Sequence, residues 1–159
     1  VYNQTDLKND LYGVLTEKAN NKTLRTEDDV SLLREGDLIF SLISGTAAIV
    51  GPEHAEYLFT QNYVRLTCSP ALDAGFLAYM LNHHPHIARQ FFASMQGSTF
   101  LKFTVTQLRD LRLYSLPPIE KQRAIGRIYF SQLKVNALRS RVQEEKTKLL
   151  LHQLKEVIP

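Results

Sequence analysis

A chain of 159 residues, 44% of them hydrophobic, has room for one domain or one domain plus an appendage, and is apolar enough for a real core. The single cysteine, Cys68, excludes an internal disulfide, no apolar run reaches membrane-spanning length, and the polar start Val1 to Asp10 lacks a signal peptide's apolar stretch, so the expectation is a cytoplasmic protein with no membrane role. The net charge of +3 hides an asymmetry: residues 1–118 carry ten Lys and Arg against twelve Asp and Glu, residues 119–159 nine against four.

The opening stretch to Asp29 is polar, with Asn20-Asn21-Lys22 as a turn signal and Thr26-Glu27-Asp28-Asp29 as a candidate helix cap, and takes no firm assignment. Leu33-Arg34-Glu35-Gly36-Asp37 reads as a turn, and the apolar run Leu38 to Ile43 as a buried strand. Ser44-Gly45-Thr46 turns the chain into a second strand through Ala47 to Val50, and Leu58-Phe59 and Tyr63 to Thr67 extend the sheet. Between residues 74 and 95 the period changes. Phe76, Leu77, Tyr79, Met80 and Leu81 suit one helix, Ile87, Ala88, Phe91, Phe92 and Met95 another, and Pro85 separates them. After Gly97-Ser98, Phe100 to Val105 alternates like a strand, Thr106 to Asp110 suits one helical turn, and Leu111 to Leu116 suits a strand leading into Pro117-Pro118.

From residue 119 to Val157 no proline occurs and the only glycine is Gly126, while good helix formers dominate. Prolines near the start and Glu120 in the first turn suit a helix N-terminus. Some forty helical residues extend about 60 Å, roughly twice the diameter of a small domain, so most of this helix must project. Ile125, Ile128, Val135, Leu138, Val142 and Leu149 follow a coiled-coil-like seam, interrupted where Ser131, Glu145 and His152 replace apolar residues. A polar helix of this kind gains most of its stability from packing and needs a second helix, supplied by another copy or another protein. The expected class is α+β: a mixed α/β head over residues 1–118 and a long C-terminal coiled-coil helix over residues 119–159.

Little in the chain suggests catalysis. Gly36, Gly45, Thr46 and Gly51 match no nucleotide fingerprint and suit strand turns. His83-His84-Pro85-His86 lacks completing ligands for a metal and suits an interhelix loop. Glu144-Glu145-Lys146 carries a nuclease-like string without the upstream acid that metal-dependent cleavage needs. No catalytic residue, metal site or cofactor is expected. For DNA contact, the later head is the more basic part: Arg89, Lys102, Arg109 and Arg112 lie there with Gln96, Ser98, Thr99, Thr104 and Gln107 near them. Arg pairs bidentately with guanine and Gln with adenine, whereas Lys and Ser more often hold phosphate. The candidate DNA-binding residues are therefore Arg89, Lys102, Thr104, Gln107, Arg109 and Arg112.

The ordered series Leu33-x-x-Gly36-Asp37-Leu38-Ile39-Phe40-Ser41, Gly45-Thr46, Gly51, Gln61-Asn62, Phe76-Leu77-x-Tyr79-x-Leu81, Gly97, Leu108, Leu111 and Leu116-Pro117-Pro118-Ile119-Glu120-Lys121-Gln122-x-x-Ile125 resembles the DNA-specificity subunit of type I restriction-modification systems. The Leu-Pro-Pro-Ile-Glu-Lys-Gln string is its most specific piece. The resemblance implies a target-recognition domain followed by a spacer helix, half of the full two-domain subunit. It implies double-stranded DNA, a DNA methyltransferase subunit and the restriction subunits of the same assembly as partners, and a homodimer through the helix that reads two half-sites. The alternative is a protein-interaction module that regulates or competes with a complete specificity subunit. The segment ahead of Gly36 is shorter here than the family's usual one.

Overall fold

The computed structural model of the chain describes residues 1–15, 30–95 and 102–157. Within these, five α-helices, α1 (Gln4–Tyr12), α2 (Ala74–His83), α3 (Pro85–Ser94), α4 (Val105–Asp110) and α5 (Ile119–Val157), surround three strands, β1 (Leu38–Ser41), β2 (Ala47–Ile49) and β3 (Tyr63–Leu66). The class is α+β with a long C-terminal helix, as the sequence predicts. The strands form one antiparallel sheet in the order β2-β1-β3, with Ile39 opposite Ala48 on one side and Arg65 on the other.

All four residues of β1 are buried because both faces of the sheet are covered. Strand side chains alternate between faces. Leu38, Phe40 and Leu42 accordingly enter one core with Phe76, Met80, Leu81, Ile87 and Phe91 of α2 and α3. Ile39 enters a second core with Tyr2, Leu7, Leu11 and Tyr63. The outer edge of β2 is covered by Asn82 of α2, whose amide accepts from Ala47 N (2.8 Å) and donates to Ala47 O (2.8 Å) and to the Tyr129 hydroxyl (2.9 Å). An edge strand so occupied offers fewer free backbone groups to another chain.

α1 is an element that the sequence reading leaves unassigned. Asn3 caps it, accepting from Thr5 N and Asp6 N, while Asp6 accepts from Asn3 N, a reciprocal capping box, and Gly13 ends it in the left-handed region. Leu7 and Leu11, four apart, share one buried face. Full burial of each contributes about 2 kcal/mol. A polar knot holds the adjoining flank: His54 Nδ1 lies 2.7 Å from Asp10 Oδ1, His54 Nε2 lies 3.4 Å from Asp6 Oδ1, and Tyr2 donates to Asp10 Oδ2 (2.7 Å). Burial pushes the Asp6 carboxyl up from its ordinary value against the opposing pull of the Asn3 amide and of His54. Burial, followed by Asp10, likewise raises the Tyr2 phenol beyond any physiological ionisation.

Several expectations are met in detail. Asp37 closes the turn at Gly36 (φ +85°) by accepting from Arg34 N (2.9 Å), which explains the Gly-Asp pair ahead of β1. Pro85 stands at the first turn of α3, directly after α2 ends.

Others are corrected. Lys102 to Thr104 form no strand and Val105 begins α4, because Thr104 and Gln107 make a second capping box (Thr104 N to Gln107 Oε1 2.8 Å, Gln107 N to Thr104 Oγ1 3.2 Å). Leu111 to Leu116 has no strand partner among the described residues; the Gln90 side chain takes the Arg112 backbone instead, donating to its carbonyl (3.0 Å) and accepting from its amide (2.8 Å). Leu58 makes a single bridge, to Leu32. β1 stops at Ser41, which leaves Ile43 exposed, and Phe92, expected on a core face, is 73% exposed. Asn20 to Lys22, Thr26 to Asp29 and Gln96 to Leu101 lie outside the described residues.

α5 starts where the head ends and crosses α2. Gln122, 1% exposed, donates to Pro117 O (2.8 Å) and Ala71 O (3.1 Å) and accepts from Asp73 N (3.0 Å). One turn on, a Cβ at Gly126 would stand 2.8 Å from the backbone of Gly75 and Phe76, so no other residue fits. Ile125, Tyr129, Phe130 and Leu133 pack on the two cores. From Leu138 to Val157 every residue is exposed.

Gln122→Glu keeps the size of the side chain but turns an amide donor into a carboxylate facing two carbonyls. The expected cost is about 2–4 kcal/mol, the loss of two buried hydrogen bonds. Thermal unfolding measures it, and an unchanged midpoint would show that the triple contact contributes nothing. Asp6→Asn tests the polar knot. With the folded carboxyl raised, the native state binds its proton more tightly than the unfolded chain, so the stability contributed by protonated Asp6 is lost as pH rises from about 4 through the raised value. The Asp6→Asn variant has no such loss, so its urea midpoint should fall less over this range and match or exceed that of the parent at pH 7. A variant weaker than the parent at pH 7 would mean that an ionised Asp6 is held favourably by His54.

Candidate nucleic-acid interface

The predicted DNA-binding residues fall into two connected groups on the later head. Arg89 lies on the exposed side of α3 and Arg112 just after α4; the adjacent Gln90, bonded to both backbone groups of Arg112, fixes these two stretches side by side. Lys102, Thr104, Gln107 and Arg109 lie on and immediately before α4. Lys102 Nζ donates to Asn62 Oδ1 (3.1 Å) and retains further donors, since an ammonium has three. Arg89, Lys102, Arg109 and Arg112 are all exposed, and among the described residues none of them forms an ion pair with a carboxylate. Four exposed cations with no carboxylate partner among the described residues suit the capture of an external anion.

The six residues are not equivalent. Thr104 and Gln107 spend their side-chain oxygens on the α4 capping box, so the sequence pattern that marked them as base-reading groups is also the signature of a helix start. Gln96, Ser98 and Thr99 lie outside the described residues. The histidines take structural positions. His84 caps α3, accepting from His86 N (3.3 Å), His83 meets the Tyr129 ring edge-on and His86 lies against Tyr114. Among the described residues no group of His, Cys, Asp and Glu is placed to hold a metal ion.

The residues expected to pair with a second helix separate along α5. Ile125 is already packed on the first core of this chain. Ile128, Val135, Leu138, Val142 and Leu149 are exposed, and Leu150, Leu151, Leu154 and Val157 continue the apolar exposure to the end of the helix. Leu138, Val142 and Leu149 line a shallow apolar groove whose walls are Arg141, Glu145 and Lys146. Glu145 is held by Lys148 (2.8 Å), whose hydrogen bond and charge lower the Glu145 pKa and raise that of Lys148. That pair is an exposed contact along one face of the helix. Among the described residues no helix is long and apolar enough to cross a membrane.

Sequence reasoning about candidate sites passes over Gln122 and Gly126. The signal for both is present, in the final residue of the Leu-Pro-Pro-Ile-Glu-Lys-Gln string and in the sole glycine of the long helix, but apart from the Pro117 carbonyl the groups they meet, at Ala71, Asp73, Gly75 and Phe76, are about fifty residues away in the chain.

The family model of the type I restriction modification DNA specificity domain matches residues 1–147. Among solved structures, the HsdS subunit from Thermoanaerobacter tengcongensis is similar at 26% identity with a TM-score of 0.48, over 77% of this chain and 33% of that one. The chain therefore spans about a third of the length of that solved relative. No curated protein matches it. The family match begins ahead of α1, takes in the whole sheet and α2 to α4, and continues into the exposed half of α5: the chain belongs to the type I restriction modification DNA specificity domain family.

Proposed function

We propose that this chain is a sequence-specific DNA-recognition half-subunit of a type I restriction-modification system. Residues 1–118 serve as a target-recognition unit that reads one half-site of double-stranded DNA. Residues 119–157 form the spacer, pair with the same helix of a second copy, and dock a DNA methyltransferase subunit, to which restriction subunits add. The chain contributes recognition while its partners contribute the chemistry.

The observation that carries this reading is the division of α5. Its first turns are fastened to the head by Gln122 and Gly126, whereas its last twenty residues, about 30 Å of helix, stand clear with leucines and valines outward. A helix anchored at one end and apolar at the other spends packing energy on orientation in one half and offers it for association in the other. Two copies related by a two-fold axis would hold two heads at a fixed separation, and fixed separation is what a split site requires. The cations of the later head supply the phosphate contacts of each head.

The decisive experiment mixes the chain, alone and with a methyltransferase subunit of the same system, with a randomised duplex library and sequences what is retained. Enrichment of a split palindrome supports the reading. Capture of the partner with no enriched DNA would instead assign the chain to regulation of a complete subunit. Two substitutions test its parts. Leu138→Asp with Val142→Asp places charge in the proposed helix seam and should convert a sedimenting dimer to monomer; a persistent dimer would locate the interface elsewhere. Arg109→Ala should weaken binding and reduce the slope of log affinity against log salt by about one unit, as expected for the loss of one phosphate contact. An unchanged slope would remove Arg109 from the contact surface.

A further inference from the structure

Ile43 is a large apolar residue at the tip of the β1–β2 turn, half exposed at 49%, beside a head that buries nearly every other residue of this run. The turn around it is rigid. Ser41, fully buried, accepts through Oγ from Ile43 N and Ser44 N (3.2 Å each), and its carbonyl accepts from Gly45 N (2.9 Å). Gly45 takes a positive φ of 66°, and the Phe103 ring lies where a side chain at that position would go. The Leu42 amide donates to Asn62 O (2.8 Å) and the Leu42 carbonyl accepts from Phe103 N (2.9 Å). Three stretches distant in sequence, the 42–46 turn, the 60–62 turn and Lys102–Phe103, are thereby locked into one edge of the molecule.

With these backbone groups engaged inward, the edge presents side chains outward: Ile43, Ser44, Gln61 and Lys102. Residues 38–50, 57–72 and 102–109, which contain all three stretches, have no Asp or Glu. An edge whose own three stretches contain no acid, and that carries one ammonium, an amide, a hydroxyl and a branched hydrocarbon, matches the chemistry of base edges flanked by phosphate. A two-stranded turn fits the major groove, apolar side chains contact the thymine methyl there, Gln matches adenine, and Lys holds phosphate. Preorganisation matters too, because a tip already fixed loses little conformational freedom on binding.

We propose that the β1–β2 tip is a base-reading element of this chain, with Ile43 against the 5-methyl group of a thymine in the major groove, Gln61 beside it, and Lys102 seating the tip on the adjacent phosphate. The proposal rests on the DNA-recognition reading above and adds Ile43 and a base-reading role for Gln61 to the predicted set; Lys102 joins this edge to the predicted group on α4.

The test uses the full chain with its methyltransferase subunit and a randomised duplex library, comparing the parent with Ile43→Ala and Gln61→Ala. Ile43 is held through its backbone amide, so truncation of its exposed side chain leaves the turn intact. Ile43→Ala is expected to relax selection at one thymine while the rest of the motif is kept, and to bind the parental motif at least about fivefold more weakly, the lower end of the usual effect of a single mismatched pair. Replacing that thymine by deoxyuridine, which lacks the methyl group, should weaken the parent by a similar factor and leave Ile43→Ala unaffected. An unaltered motif from both variants, or full deoxyuridine sensitivity retained in Ile43→Ala, overturns the proposal while the DNA-recognition reading stands. A parent that is insensitive to deoxyuridine at every thymine overturns it as well. A parent that enriches no duplex overturns both.

Discussion

Gly126 lets α5 approach the first turn of α2 backbone to backbone, and Gln122, one turn earlier, fastens that approach with three hydrogen bonds to parts of the chain that would otherwise end in unsatisfied groups. Two requirements meet here. Close approach of helices needs the absence of a Cβ, and the N-terminal end of α2, capped by Asp73, has a backbone amide at Asp73 that is met from outside the helix. Gln suits the second requirement because one side chain carries both an acceptor and two donors. The prolines ahead of it serve the same junction: Pro117 offers a carbonyl to Gln122, and neither proline has an amide to leave unpaired.

From that junction the rest of the architecture follows in order. α2, oriented by α5, lies over one face of the sheet and reaches the β2 edge through Asn82, which also touches α5 through Tyr129. α1 closes the other face and meets α5 again near Leu133. The head is thus braced on both sides by the same helix that projects from it. A projecting element rooted this way transmits the orientation of the head along its length.

The polar features of the head divide by what they bond. Asp10 bonds His54 and Tyr2 inside the protein, with the buried Asp6 carboxyl 3.4 Å from His54, and together they hold α1 in place. Arg89, Lys102, Arg109 and Arg112 have no carboxylate partner among the described residues and sit at the surface. Charge counts alone could not make this separation, because the near balance of acids and bases over residues 1–118 averages a buried acidic knot with an exposed basic face.

The strands from Leu38 and Tyr63, the helix pair around Pro85 and the whole of α5 are legible in the sequence, since each depends on residues within a few positions: apolar alternation, a proline at a first turn, an uninterrupted run of helix formers. The ordered motifs are sufficient for the family as well. α1 escapes a sequence reading although Asn3 and Asp6 announce its cap, because the short segment has few apolar residues and gains its stability from the sheet face and from His54. The strand expected at Leu111 to Leu116, and the described part from Lys102 to Val105 of the one expected at Phe100 to Val105, do not form because alternation signals a strand only where a partner edge exists, and here Gln90 and a capping box claim the backbone first. The exposed position of Ile43, the union of Arg89 with Arg112, and the half of α5 that remains open are settled by tertiary contacts. Local patterns in the chain are enough for most elements and for the family, whereas the pairing of polar groups and the set left exposed at the surface come from the folded structure, because hydrogen bonds between residues forty or fifty positions apart are a property of the packed chain.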